Sequence, residues 1–378
     1  MFVLRGKENL CFSSLEASVL HFITLSTNDM AMVPLSKEKG KIPPYERFRA
    51  MSRYTPHPRL HLSVETGDTH EIETLLSSGV DIDSRDMDGR TPLMLAAASG
   101  RKKTFRLLIE RGSDPTLKDS SEESVLHYAA RGGSNEIIQE LLSRGLDIDS
   151  RDNTGDTPLM EAVNFGTENA FRLLIERGSD PTSRDNMGRS MLHLAAENGR
   201  NEIIQELLSR GLDIDSRDRD GNTPVIRAAI YCKDDAITLL LERGSNPKQK
   251  DAKGRGLLHW AADIGRAVLI EKLLSLGLDI NSRENYGDTP LMVAAYRGRE
   301  DAFSLLIERG SDPTLTDNRG QSALHWAARG GSKVIIEKLL SLGLDINSKT
   351  NSGETPLMLA TRSRQAEAVN YLLSRGAK

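Results

Sequence analysis

Cysteine is nearly absent: Cys11 and Cys232 are the only two among 378 residues. They lie far apart on unlike backgrounds, which excludes a disulfide framework and fits a reducing compartment. The expected localisation is the cytoplasm, with the nucleus as the alternative. An excess of either charge is also lacking, since 50 basic and 54 acidic residues leave a net charge of -4. Such a balance gives no general attraction to nucleic acid or to anionic membranes, so neither is an expected partner. Long apolar runs are missing as well. The most apolar N-terminal window, "LCFSSLEASVLHFITL" at 10–25, is broken by Glu16, His21 and several serines. It is too polar for a spanning helix of about 20 residues, and its broken core and Glu8 disqualify it as a secretory signal, so membrane insertion is not expected. Phosphate-cradling glycine loops, zinc-ligand spacing and nucleophile elbows cannot be found, so no catalytic residue, cofactor or metal is assigned and no enzyme activity is expected.

What the chain has is a ruler. Glycine stands at 79, 112, 145, 178, 211, 244, 277, 310, 343 and 376, spaced by 33 without insertion or deletion. Each follows an apolar run such as "FRLLIERG", where glycine supplies the left-handed residue that ends a helix. Upstream in alternate copies stands "TPLM" (91, 157, 289, 355) or "TPVI" (223), a threonine suited to the N-cap followed by a proline suited to the first turn. That helix ends near a second glycine, at 67, 100, 133, 166, 199, 265, 298 and 331. Two helices of about ten residues therefore share each 33-residue copy. Between copies runs "GSDPTLKD" or "GLDIDSRD", turn chemistry that projects out and returns.

Helix pair, turn, T-P-L and L-H-x-A-A motifs at this period resemble the ankyrin repeat. The resemblance covers 53–378 as about ten copies and implies an all-α ankyrin-repeat solenoid of stacked helix-turn-helix units with projecting β-hairpin-like turns. The first and last copies are expected to act as caps. Copies alternate between "LHxAAxxG…GLDI" and "TPLMxAxxxG…GSDPT", so the full period is 66. Glu122 stands where the turn glycine belongs, and Cys232 and Arg364 where the interhelical one belongs.

The opening residues of the inner helices carry His127, His193, His259 and His325, with His61 at the matching place in the first copy. Copies stack at about 8–10 Å, so histidines two copies apart cannot share a metal ion. The resemblance implies instead that they tie neighbouring turns by hydrogen bonds. Beside them stand Trp260 and Trp326, with Tyr128 and Leu194 in the same slot. Two copies separate the tryptophans, and the slot also holds Arg227 and Glu161, so packing is favoured over an aromatic cage. A basic column, Lys118, Arg151, Arg184, Arg217, Lys250, Arg283 and Lys349, is mostly followed directly by an acid and is expected to be charge-paired rather than a phosphate ladder.

Positions just inside the turn and just after "AA" vary most between copies. The resemblance implies that they form a concave partner-binding surface, here Phe165, Ile230, Tyr231, Ile264, Tyr286, Tyr296, Arg297 and Arg329. Aromatic residues and arginine are the usual anchors of interfaces, and most of these lie between 218 and 349. Residues 1–52 show no repeat and read as a flexible extension that includes "KEKGKIPPYERFRAMSR". The expected function is a non-enzymatic, monomeric adaptor or scaffold for a protein partner. The alternatives are a regulatory or inhibitory subunit of an enzyme complex, and a methyl-lysine peptide reader using Trp260 or Trp326.

Overall fold

Threonine–proline and serine–histidine openings each start a helix in the computed structural model, which describes residues 58–378. The expected N-terminal extension and the first few residues of the expected repeat domain lie outside the described residues. Among these, twenty helices form ten pairs, divided between two compact units. The unit ending at Asn186 holds α1 (Pro58–Thr66), α2 (Thr69–Ser77), α3 (Pro92–Ala98), α4 (Lys102–Glu110), α5 (Val125–Gly132), α6 (Asn135–Ser143), α7 (Pro158–Phe165) and α8 (Glu168–Glu176). The unit beginning at Met187 holds α9 (Met191–Asn198), α10 (Asn201–Ser209), α11 (Pro224–Ile230), α12 (Asp234–Glu242), α13 (Leu257–Ile264) and α14 (Ala267–Ser275). It continues with α15 (Pro290–Arg297), α16 (Glu300–Glu308), α17 (Ala323–Gly330), α18 (Lys333–Ser341), α19 (Pro356–Arg362) and α20 (Ala366–Ser374).

Helices this short are marginal alone and depend on neighbouring copies for burial. Each copy contributes the same small, dense set: in the second copy Leu93, Ala96, Ala97, Phe105 and Leu108 are fully buried. The last copy keeps the internal pattern, yet its Met358 is 53% exposed where Met94, Met160, Ile226 and Met292 are buried. All ten ruler glycines take positive φ. Glu122, Cys232 and Arg364 hold φ of 63°, 58° and 57°, the left-handed region kept without glycine. Each such residue costs about 1–2 kcal/mol, which the repeated packing around it overrides.

The 66-residue period has a physical cause. In the histidine copies, the N-cap backbone N–H of Ser124, Ser190, Gly256 and Ser322 donates to Nδ1 of His127, His193, His259 and His325 at 3.1, 3.1, 3.3 and 3.2 Å. Nε2 of the first three then donates to a carbonyl of the following threonine–proline copy, Asp156, Asn222 or Asp288, at 2.9–3.1 Å, and His325 Nε2 donates to Ser348 O at the end of its own copy at 3.2 Å. His61 makes the same bond to Arg90 O. An N–H can only donate and a carbonyl only accept, so His127, His193, His259 and His325 are each the neutral Nε2–H tautomer. Burial pushes His127 and His325 below the usual range and His259 to about 4. Across the same junction Asp83, Asp149 and Asp215 accept from Ser113, Ser179 and Ser245 at 2.6, 2.5 and 2.8 Å. Histidine copy and threonine–proline copy are thus two halves of one bonded brick.

Arginine stitches the turns across that same junction, while Lys118 and Lys250 reach the carbonyls of Arg151 and Arg283 across the other at 3.3 and 2.9 Å. Arg85, Arg151, Arg217 and Arg283 donate to the carbonyls of Lys118, Arg184, Lys250 and Thr316, 33 residues on, at 2.6–2.8 Å. This corrects the expected pairing of the basic column with the acids beside it. Neighbouring side chains on extended backbone point to opposite faces. The cations therefore reach carbonyls, while acids such as Asp86 and Asp251 accept from N–H groups of their own turn. With those donors satisfied, strand pairing shrinks to isolated bridges, Lys118 with Ser124, Lys250 with Gly256 and Thr316 with Ser322.

Candidate partner-binding site

In the unit beginning at Met187, helices α13, α15 and α17 present one slot to the turn side, filled in order by Trp260, Val293 and Trp326. A small residue between two large ones leaves room. A cavity of about 150 Å³ opens there, walled by Trp260, Tyr296, Trp326, Arg255, Asp263 and Asp288, with Val293 and Arg297 also in its lining. Separation by two copies was reason to doubt that the tryptophans act together, yet both line this one cavity because valine does not fill the gap.

Each wall is held in place. Tyr296 meets Trp326 edge to face, centroids 5.4 Å apart at 83°. Trp326 Nε1 donates to Asp317 at 3.2 Å. Arg255 lies 3.8 Å over the Trp260 ring and is tied to Asp251 at 2.9 Å. Arg297 is tied to Asp263 at 2.7 Å, and Arg329 lies 5.4 and 5.2 Å over Tyr296 and Trp326. Asp288 is pushed up to about 6 by burial and by the nearby Glu284 and Asp317 carboxylates. Its Oδ1 accepts no hydrogen bond, and Trp260 Nε1 has no acceptor. The arrangement can stack against, and hydrogen-bond to, an entering group.

Of the candidate residues, Tyr296, Arg297 and Arg329 converge on this cavity. Ile230 and Ile264 are half-buried, and Tyr231, exposed, interacts with Glu197 and Arg227. Tyr286 sits at a turn tip, 62% exposed. Phe165 belongs to the other unit, 45% exposed, with Arg131 over it at 5.0 Å. There Arg131 also covers Tyr128 and bridges Glu123 and Glu161, and burial, with the two further carboxylates Glu161 and Asp119, pushes Glu123 up to about 7.

Arg255, Asp263, Asp288 and Val293 were not singled out from the sequence. A signal existed. Residues eight apart, at the turn and at the helix end, pair by charge in several copies: Glu123 with Arg131, Arg189 with Glu197, Glu354 with Arg362. The pattern fails at Asp288 and Tyr296 and at Gln321 and Arg329 beside this cavity, but also at Arg90 and Ala98, Asp156 and Asn164, and Asn222 and Ile230, so it narrows the choice without fixing it.

Among the described residues no group of histidine, cysteine and acidic side chains is arranged to hold a metal ion, and no helix is long and apolar enough to cross a membrane. No curated protein matches this sequence. The solved structure of the human ASB11 ankyrin repeat domain resembles it at 28% identity and a TM-score of 0.53, over 59% of this chain and 100% of that one. The family model described as ankyrin repeats (3 copies) matches in overlapping segments, 52–119, 116–185, 169–251, 226–317 and 309–378. With helix pairs, left-handed glycines and turns repeating through that span, the chain belongs to the ankyrin-repeat family, a protein-interaction fold.

Proposed function

We propose that the chain is a non-enzymatic adaptor or scaffold, acting as a monomer in the cytoplasm or nucleus. It captures a protein partner on the turn side of the inner helices, anchored at the cavity between Trp260, Tyr296 and Trp326. The supporting observation is the concentration of aromatic rings and arginines around a recess with unmet hydrogen-bonding groups, the composition of an interface hot spot. Arg255 and Arg329 lie over the ring faces that a quaternary ammonium would need, which favours this reading over a methyl-lysine reader. Tyr296→Ala with Arg297→Ala should weaken capture by about 2 kcal/mol or more in an unbiased pull-down. Lys103→Ala, on an exposed stretch of α4, is the control. Undiminished capture by the double variant, with helical circular dichroism intact, would remove the assignment.

A further inference from the structure

The charges around the cavity are mostly matched internally. Arg255 is held by Asp251 and Arg297 by Asp263, and Trp326 Nε1 is satisfied by Asp317. Three groups remain. Asp288 forms no salt bridge with any described residue and its Oδ1 accepts nothing. Arg329 covers Tyr296 and Trp326 and acts on Asp288 only at longer range, without a salt bridge to any described residue. Trp260 Nε1–H has no acceptor. In two other copies the residue at the place of Asp288, Glu123 or Glu354, is paired with Arg131 or Arg362.

Building on the reading of this cavity as a partner anchor, we propose that it takes the side-chain carboxamide of a partner's glutamine or asparagine. Of the other charges acting on Asp288, the Glu284 and Asp317 carboxylates already accept backbone and indole N–H groups and are offset by Arg319 and Arg329. The field at the recess is therefore close to balanced, and the complementary occupant is neutral and dipolar. A lysine would satisfy Asp288 but meet Arg329 and offer nothing to Trp260. A glutamate would do the reverse, and an aliphatic side chain would leave all three groups unmet. The carboxamide supplies N–H donors for Asp288 and a carbonyl for Trp260 or Arg329, while its methylenes pack against the rings. A site built to hydrogen-bond its ligand discriminates strongly against analogues without those groups, because its own polar atoms are then buried unpaired.

Trp260 and Trp326 are the chain's two tryptophans, so a ¹H–¹⁵N spectrum of the full chain contains two indole signals. Trp326→Phe assigns them. Acetyl-Gly-Gln-Gly N-methylamide, whose only primary carboxamide is the glutamine side chain, should move the Trp260 signal downfield in a saturable way. Tripeptides with lysine, trimethyl-lysine, glutamate or leucine at the centre should bind about tenfold more weakly or worse. Asp288→Leu should weaken the glutamine peptide by a similar factor with the other backbone signals in place. If that variant does not fold, Val293→Trp, which fills the cavity and leaves Asp288 intact, should abolish the shift. Equal or tighter binding of any other tripeptide, or no saturable shift with the glutamine peptide, overturns the proposal. If another tripeptide moves Trp260 and partner capture still depends on Tyr296 and Arg297, the carboxamide proposal alone fails. If capture is also indifferent to those residues, the anchor reading falls with it.

Discussion

Gly330, the last residue of α17, lies against the backbone of Tyr296. A Cβ built on it would overlap the Tyr296 carbonyl oxygen and stand 2.8 Å from the carbonyl carbon. The turn residue is Gly331, at φ 88°, and Gly330 is a packing residue inside the helix. Its missing side chain lets α15 and α17 approach closely enough for Tyr296 to meet Trp326.

Gly330→Ala should therefore push the two helices apart. A cost of roughly 1–3 kcal/mol is expected, as for other overpacked cores. Denaturant unfolding measures it, and the near-ultraviolet circular dichroism from Tyr296 and Trp326 should weaken. An unchanged midpoint and spectrum would show that the close approach is dispensable.

His259 is held neutral between Gly256 N–H and Asp288 O, with its pKa lowered to about 4 by burial. A base whose folded pKa lies below its unfolded value near 6.5 stabilises the fold fully above pH 6.5. That contribution is lost as pH falls from there towards about 4. His259→Gln keeps a side-chain acceptor at the capping-box position but loses the link to Asp288. The variant should be less stable by about 1 kcal/mol at neutral pH, and the gap should narrow on acidification. Asp288 and Glu123, whose raised pKa values act in the opposite sense, titrate in both proteins, so the difference isolates the histidine. A gap that widens as pH falls would contradict the neutral tautomer.

Because histidine and threonine–proline copies form bonded bricks, the length of a deletion matters more than its place. Removing 218–283, 66 residues, leaves Arg217 before Glu284 and preserves the alternation. Removing 251–283, 33 residues, sets two threonine–proline copies side by side, with neither the histidine bond nor the aspartate–serine bond at the new junction. Thermal melts should show the longer deletion folding as a cooperative array and the shorter one markedly less stable. The reverse order would sink the brick model.

Val293→Trp copies the residue found in the same slot one copy before and one copy after, so the helix should accept it. It should fill the recess between Trp260 and Trp326. Stability should change by less than about 1.5 kcal/mol, while capture of the partner at this site should fail. Undisturbed capture would place the anchor elsewhere.

The architecture was legible because every copy repeats its own punctuation. Ruler glycines, threonine N-caps and the first-turn proline act locally, within a few residues of backbone, so their consequences follow from spacing alone. Even the exceptions at Glu122, Cys232 and Arg364 could be marked, since a place in the ruler demands the left-handed conformation whatever residue stands there. The site was legible in part. Variability between copies pointed to Tyr296, Arg297 and Arg329, but not to Asp288 or Arg255, whose roles depend on which neighbour fails to pair with them.

Sequence by itself displayed the period of 66 and determined the helix pairs and their boundaries, because those boundaries rest on interactions between residues near each other in the chain. Tertiary structure decided what that period is for. It sent the basic column to carbonyls 33 residues away instead of to the acids beside it. It also made one recess of Trp260 and Trp326 across an intervening valine. Both outcomes depend on how far side chains reach between stacked copies, a distance set by backbone packing such as that of Gly330 on Tyr296 and written in no single copy.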